Sequence, residues 1–325
     1  MATEAKMAEV KAAQTKTREV DPLSRDLLAA FDTANGGVHA GFRPAHAKGI
    51  FLSGTFTPAK AATLTRAPQA TRPSTPVAVR FSDFAGIPTV ADNDLEHASP
   101  RGFALRFYLD GEHKHTDIVA HSVNGFPTRD GREFLEFLNA VIASGPGAQK
   151  PLPIEKFLGA HPAALAFVQT PKPIPTSFAK DTYYAVSAFK FTNAQGTSVF
   201  GRYRIVPEGA NEYLDEASLA KKDANFLFDE MKERISRGVV RMRILVQTAA
   251  AGDVTDNATV AWPADRPLVE FGTIELNTLV PEGDAGQRHI IFDPIPRVDG
   301  IEPSADPLFD ERANLYLASG RRRRG

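Results

Sequence analysis

The sequence predicts an α+β protein built on a closed antiparallel β-barrel of about eight strands, with helices around it. Three observations carry that prediction. Apolar and polar positions alternate in a series of separate segments, the period-2 pattern of strands with one buried face. Turn sequences of hairpin type, Asp110-Gly111 and Asn193-Ala-Gln-Gly196, sit between such segments. No regular strand–helix alternation points to parallel βαβ units, and closing the sheet removes its exposed edges.

In chain order the expected strands are Gly49–Phe56, Val77–Ser82, Phe103–Leu109, Asp117–His121, Ala185–Phe191, Ser198–Val206, Val239–Val246 and Val269–Leu276. Two helical stretches interrupt them. After Arg132, the residues Phe134, Phe137, Leu138 and Val141 recur at helical spacing. Residues 225–236 form the second stretch, stopped by Gly238. The proline-rich segment Thr170–Thr176 reads as a crossing loop, and no internal repeat is present. Residues 1–20 lack aromatic side chains and read as a flexible N-terminal arm, ahead of a single domain at 21–325.

Composition narrows the function. At 42% hydrophobic and 24% charged residues, the chain is ordinary globular material. Thirty-eight basic and 39 acidic residues leave a net charge of -1, which argues against a nucleic-acid-coating surface. Zero cysteines exclude disulfides, thiolate ligation and iron–sulfur clusters. The N-terminus has no apolar h-region, so it is not a secretory signal. No apolar run approaches the roughly 20 residues that span a membrane. The expectation is a cytoplasmic protein with neither nucleic acid nor membrane as partner.

The most informative pair lies near the C-terminus. Arg312 and Tyr316 are four residues apart, which on a helix places them on one face. An arginine there can hydrogen-bond the phenol oxygen and hold it as phenolate. A free tyrosine titrates near pH 10, so ionising one at neutral pH needs roughly 4 kcal/mol of help. A guanidinium and a ferric ion together can supply that. Alone, the pair fits a helix-surface contact better.

The surrounding residues change that balance. The run Phe292-Asp-Pro294, Gly300-Ile-Glu302, Ser304, Asp306, Arg312 and Tyr316 resembles the proximal haem segment of the haem catalases. Arg43-Pro-Ala-His46-Ala-Lys48-Gly49 is similar to their distal-histidine motif. Arg80-Phe81-Ser82, Arg101-Gly102-Phe103-Ala104, Arg129-Asp130, Trp262-Pro263 and Leu276-Asn277 match in the same order. The resemblance runs from about Leu23 to Arg324, and collinear motifs are far more specific than any one of them. It implies the catalase-like fold and haem b, iron protoporphyrin IX, with Tyr316 as axial ligand; tyrosine is the ligand named for catalase in general accounts of haem ligation.

The same resemblance implies roles for further residues. His46 is the base that takes and returns a proton as the peroxide O–O bond breaks, a task that suits a neutral imidazole. Ser82 hydrogen-bonds that imidazole. Arg43, Arg80 and Arg323 neutralise the two haem propionates, for which the guanidinium fork is suited. Phe134 lies over the haem, Val119 lines the same pocket, and Arg312 stands behind the tyrosine.

Departures from the family pattern shape the expected activity. His121 stands where catalases hold a distal asparagine that orients peroxide; Ser122 and Asn124 are neighbours able to replace it. Ser99 stands where they place an access-channel aspartate, and the loop Asp92–Glu96 is a candidate substitute for that charge. Ordinary catalases also continue well beyond the tyrosine helix, while this chain ends nine residues after Tyr316. It resembles the short, catalase-related peroxidase branch; with the longer arm that threads ordinary catalases into a tetramer missing, a homodimer is the expected assembly.

The reading is therefore a haem peroxidase reducing hydrogen peroxide or organic hydroperoxides with an external donor, in an oxidative stress response, with weak catalase activity. Alternatives are a small true catalase, a fatty-acid hydroperoxide isomerase on the same fold, and a non-catalytic haem-binding protein. The isomerases usually carry threonine just before the distal histidine, where this chain has Ala45. A non-catalytic carrier would have lost His46 or Tyr316. His113 and His115 could hold a metal but read better as a solvent loop.

Overall fold

The computed structural model describes residues 20–59, 63–110, 114–281 and 289–324. Its strands are β1 (Gly49–Pro58), β2 (Thr75–Ser82), β3 (Gly102–Asp110), β4 (Lys114–His121), β5 (Tyr183–Tyr184), β6 (Phe189–Thr192), β7 (Ser198–Pro207), β8 (Val240–Thr248), β9 (Leu268–Leu279) and β10 (Ile301–Pro303). Strands β1 to β4 are sequential neighbours, β9 pairs with the other side of β1, and β8 with β9. The pairings β4–β5, β5–β7 and β7–β8 then close the ring. Eight strands make the barrel, all antiparallel, as the alternation predicts. β6 continues along β7 and carries β10 on its outer side.

One expected strand is corrected. The segment Ala185–Phe191 is not a continuous strand: β5 precedes it and β6 begins at Phe189. Both pair with one edge of β7, and Ala185, Val186, Ser187 and Ala188 between them are all buried. With no exposed residue in that stretch, polarity gives no period from which to read the break. The Asn193 turn forms as expected. Its Oδ1 accepts the Gln195 and Thr197 N–H groups at 3.0 and 2.9 Å, and Gly196 takes the left-handed φ of +82° that the tight return needs. Of the Asp110-Gly111 turn, Gly111 lies outside the described residues, as do residues 1–19 of the proposed arm.

Strand alternation fills the barrel with apolar side chains such as Ile50, Leu52, Val79, Phe81, Leu105 and Ile244, each at most 1% exposed. The opposite faces of β2, β3 and β4 look outward, and a helical layer covers them. The helices are α1 (Pro22–Ala34), α2 (Pro68–Thr71), α3 (Gly131–Ala143), α4 (Pro153–Ala160), α5 (Pro162–Gln169), α6 (Glu216–Leu219), α7 (Phe226–Arg237) and α8 (Leu308–Arg324). Asp21 caps α1, with Pro22 at its first position; Asp130 caps α3 through the Arg132 and Glu133 N–H groups. α1 packs on both α3 and α8. Arg322 forks onto Asp32 at 2.6 and 2.9 Å, tying α8 to α1. Glu311 Oε2 accepts the Gly131 N–H at 2.7 Å, tying α8 to the start of α3. Among the described residues, no helix is long and apolar enough to cross a membrane.

Candidate active site

Register alone builds one wall of a cavity between the barrel and these helices. Across β1 to β4, Gly49, Ser82, Gly102 and His121 stand in one row, and Phe51, Arg80, Ala104 and Val119 in another. Side chains two apart on a strand share a face, so Arg80 with Ser82, and Val119 with His121, point to the same side. The small residues keep this floor low. A Cβ on Gly102 would overlap Ser82 Oγ and come within 2.6 Å of His46 Nδ1, and one on Gly49 would overlap the Arg80 guanidinium.

His46 enters from the loop before β1. It is the one non-glycine residue with a left-handed backbone among those described, at φ +57°. Its N–H donates to Phe84 O at 2.6 Å and the next N–H, of Ala47, to Ala85 O at 3.0 Å, which over-determine this strained turn. Ser82 Oγ and His46 Nδ1 are 3.1 Å apart, and the Asp83 backbone also bonds the ring. With Nδ1 so occupied, Nε2 is the nitrogen free to take a proton. Burial pushes the imidazole down to about 3, helped by the nearby Arg80 charge, so it is neutral at physiological pH. His121 is likewise held near 3, by burial and then by Arg312.

The opposing contribution comes from α8. Arg312, Tyr316, Ser319 and Arg323 fall at helical spacings of four, three and four, and all four line the cavity. Arg312 Nε donates to the Tyr316 oxygen at 3.0 Å. Leu308, Glu311 and Leu315 widen the same face. The terminal arginine run is thus helical: Arg322 turns to Asp32, while Arg323 is buried beside Ser319 Oγ at 2.9 Å.

The cavity encloses about 510 Å³, within the range of cofactor sites. The ten residues to which the resemblance gives catalytic or haem-binding roles all line it: Arg43, His46, Arg80, Ser82, Val119, His121, Phe134, Arg312, Tyr316 and Arg323. Three of them form a buried cationic group. Arg43 Nη2 and Arg323 Nη2 share the Ile290 carbonyl at 3.0 and 3.2 Å, and Arg80 Nη2 reaches Ala47 O at 3.1 Å. No carboxylate pairs with any of the three among the described residues. Burial lowers all three; Arg80 and Arg323 add to the fall at Arg43, Arg323 adds to it at Arg80 (to about 9, against Asp83), and Arg324 and Arg322 add to it at Arg323, whose buried Nε has no hydrogen-bond partner among the described residues.

The family model for catalase matches residues 9–325. The chain belongs to the catalase family. It is 35% identical over 295 residues to a catalase-related peroxidase of Mycolicibacterium paratuberculosis, covering 89% of this chain and 91% of that protein. A catalase-related peroxidase of Synechococcus elongatus is 34% identical over 297 residues, covering 89% and 86%. Among solved structures, a fungal catalase aligns with a TM-score of 0.75 at 22% identity, over 88% of this chain and 59% of that one. A bacterial catalase gives 0.75 at 25% identity, over 88% and 58%. The chain therefore spans nearly the whole of its peroxidase relatives but about three-fifths of these solved catalases.

Catalase membership implies haem, and the residues present fit it. Haem carries two carboxylates and a broad apolar face. The cavity offers three guanidiniums without an acidic partner, an aromatic wall including Phe134, Phe137 and Phe126, and one phenol oxygen on α8. A ring cofactor bearing two anionic groups answers each of these.

The remaining candidates from the sequence separate cleanly by position. Asn124 is exposed and Ser122 Oγ accepts the Arg101 N–H at 2.9 Å; neither lines the cavity, and His121 does. In the loop Asp92–Glu96, Asp92 is fully buried against Lys48 at 2.5 Å, whereas Leu95 and Glu96 reach the cavity. The charge available there is Glu96. His115 lies 3.2 Å from Asp117 and His113 lies outside the described residues; no three-residue metal cluster occurs among those described. The sequence reading missed Gly102, Ala104 and Ser319 as site residues. Small residues at outward positions of β3, and a serine one turn from Tyr316, were the signals available.

Proposed function

We propose that this chain is a haem-dependent peroxidase that reduces hydrogen peroxide or an organic hydroperoxide with electrons from an external donor, and dismutates peroxide only weakly. It is an oxidoreductase acting on peroxide. Its likeness to catalase-related peroxidases along most of both chains supports this, and one geometric observation carries it. A neutral, rigidly held His46 and the Arg312–Tyr316 pair face a single cavity that also holds three unpaired arginines.

The group these residues would hold is haem b, with Arg43, Arg80 and Arg323 available to its carboxylates and the Tyr316 oxygen available as iron ligand. When bound, haem would supply the redox-active iron for reaction with peroxide. His46 Nε2 accepts the proton of one peroxide oxygen and returns it to the other, the leaving water; Ser82 keeps Nδ1 engaged so that Nε2 stays basic. Arg312 Nε donates to the Tyr316 oxygen at 3.0 Å and so fixes where that oxygen sits on the cavity wall. His121 shares the row of Ser82 and Gly102 at the cavity floor, so its bulk and single donor define how peroxide lies. Dismutation needs a second peroxide held tightly, and about an ångström of misplacement can cost on the order of 10²-fold. A donor only needs to approach.

Measuring oxygen evolution and oxidation of guaiacol on one haem-loaded preparation tests the proposal. Slow oxygen release beside clear guaiacol oxidation is expected. Rapid oxygen release with no guaiacol oxidation would mean a small true catalase. A cytoplasmic location and a homodimer belong to the same proposal and are checked by cell fractionation and light scattering.

A further inference from the structure

A cluster that the peroxide chemistry does not use lies in the loop between β7 and α6. Tyr213 there is 42% exposed, yet its backbone is pinned by a bridge to Pro175 and by the Leu214 N–H to Ile174 O at 2.9 Å. Its phenol is held from two sides. The O–H donates to Asp181 Oδ1 at 3.0 Å, and the oxygen accepts Asn211 Nδ2–H at 2.9 Å. Asp181 is only 3% exposed and takes the Thr182 N–H at 2.8 Å; Thr182 Oγ1 in turn fixes Asn211 at 3.0 Å.

This is an uncommon setting for a surface tyrosine. Removing one electron from a phenol makes its O–H strongly acidic, so oxidation is easy only where a base waits for the proton. Asp181 is such a base, and the Asn211 N–H still stabilises the oxygen once the proton has gone. The cluster also lies close to the cavity. Asp181 precedes the cavity-lining Tyr184 by three residues, so their Cα atoms are at most about 11 Å apart. Between them Tyr183 is fully buried, its ring 5.2 Å from that of Phe103, another cavity residue.

We propose that Tyr213 is a second donor site, at which one-electron donors too bulky for the cavity reduce the protein after peroxide has oxidised it. The inference rests on the peroxidase reading, which supplies the oxidant. Tyr213 gives one electron inward along the segment 181–184, and its phenolic proton crosses to the Asp181 carboxylate. A donor outside then returns one electron, Asp181 gives the proton back, and the O–H bond re-forms. Two such cycles consume the two oxidising equivalents of one peroxide.

The electrostatics suit this exchange. Burial raises the Asp181 carboxyl to about 6, against the opposing pull of the Thr182 and Tyr213 hydrogen bonds and of Arg101, so it is ionised at neutral pH yet readily protonated. The Tyr213 phenol is held above its ordinary value by burial and by Asp181, so it keeps its proton until it is oxidised. The Lys180–Glu212 ion pair, 2.6 Å, is the other charge pair on these segments. Below about pH 6 the relay should fail, because Asp181 is already protonated.

Two experiments test it. In haem-free protein, photo-oxidation with ruthenium tris-bipyridine and persulfate, followed by spin trapping and peptide mapping, should label Tyr213. The label should drop about 10²-fold in Asp181→Asn, whose amide cannot take the proton. In haem-loaded protein with hydrogen peroxide, Tyr213→Phe should lower the rate for ferrocytochrome c relative to that for guaiacol by a similar factor. Undiminished labelling in Asp181→Asn, or an unchanged ratio of the two donors in Tyr213→Phe, overturns the proposal and leaves the peroxidase reading standing. A wild-type protein that oxidises neither donor overturns both.

Discussion

His46 and His121 are both kept neutral by burial, and that has consequences for catalysis and for stability. His46→Ala should retain haem but slow reaction with peroxide by about 10²–10⁴-fold, the usual worth of a positioned acid–base group. Stopped-flow mixing with hydrogen peroxide measures it, and a loss under about tenfold would move the base elsewhere, to His121 first. Both imidazoles fall from the ordinary 6.5 to about 3 in the folded chain. The unfolded chain therefore binds more protons at acid pH, and stability falls as the pH drops from about 6.5 towards 3. In haem-free protein, His121→Asn should make the urea-unfolding free energy less pH-dependent, by up to about 1.4 kcal/mol per pH unit in that window. The same substitution, in haem-loaded protein, should raise oxygen evolution relative to guaiacol oxidation, because an amide replaces the bulkier ring on the cavity floor. An unchanged ratio would make His121 neutral in peroxide orientation.

The strands that carry these side chains show why some of the site was legible in the sequence and some was not. Alternation and turn chemistry located most of the barrel, because β2, β3 and β4 alternate apolar barrel-facing residues with polar or small ones on the other face, a period of polarity that survives even where both faces of β2 are covered. It failed at Ala185–Ala188, where every residue is buried, and at β10, which is three residues long. Helix α1 was missed although Asp21-Pro22 is a start signal. Helical spacing put Arg312 and Tyr316 on one face and the resemblance to catalases gave them their roles, but only register shows Gly102 between Ser82 and His121. That glycine supplies a sharp test. Gly102→Ala places a methyl against Ser82 Oγ and His46 Nδ1, an overpacking worth about 1–3 kcal/mol. The variant should fold and bind haem but react with peroxide far more slowly, as its imidazole is displaced. Near wild-type stopped-flow rates would show that the row is not tightly packed.

Together, the barrel wall and α8 enclose a cavity whose charge is unbalanced until something anionic enters. Three buried guanidiniums repel one another there, and unpaired buried charge is costly. Arg323→Leu should therefore raise the melting temperature of haem-free protein, by about 2 °C or more, while weakening its hold on haem; differential scanning calorimetry with and without haem separates the two effects. A lower melting temperature without haem would mean that Arg323 is structurally paired after all. The most direct measurement is the absorption spectrum of haem-loaded Tyr316→Phe, which keeps the ring on α8 and removes only the oxygen that Arg312 holds at 3.0 Å. The phenolate-ligated, high-spin spectrum of the wild type should disappear in this variant, or haem should no longer be retained. Full haem content with an unchanged spectrum would contradict the assignment of Tyr316 as the iron ligand.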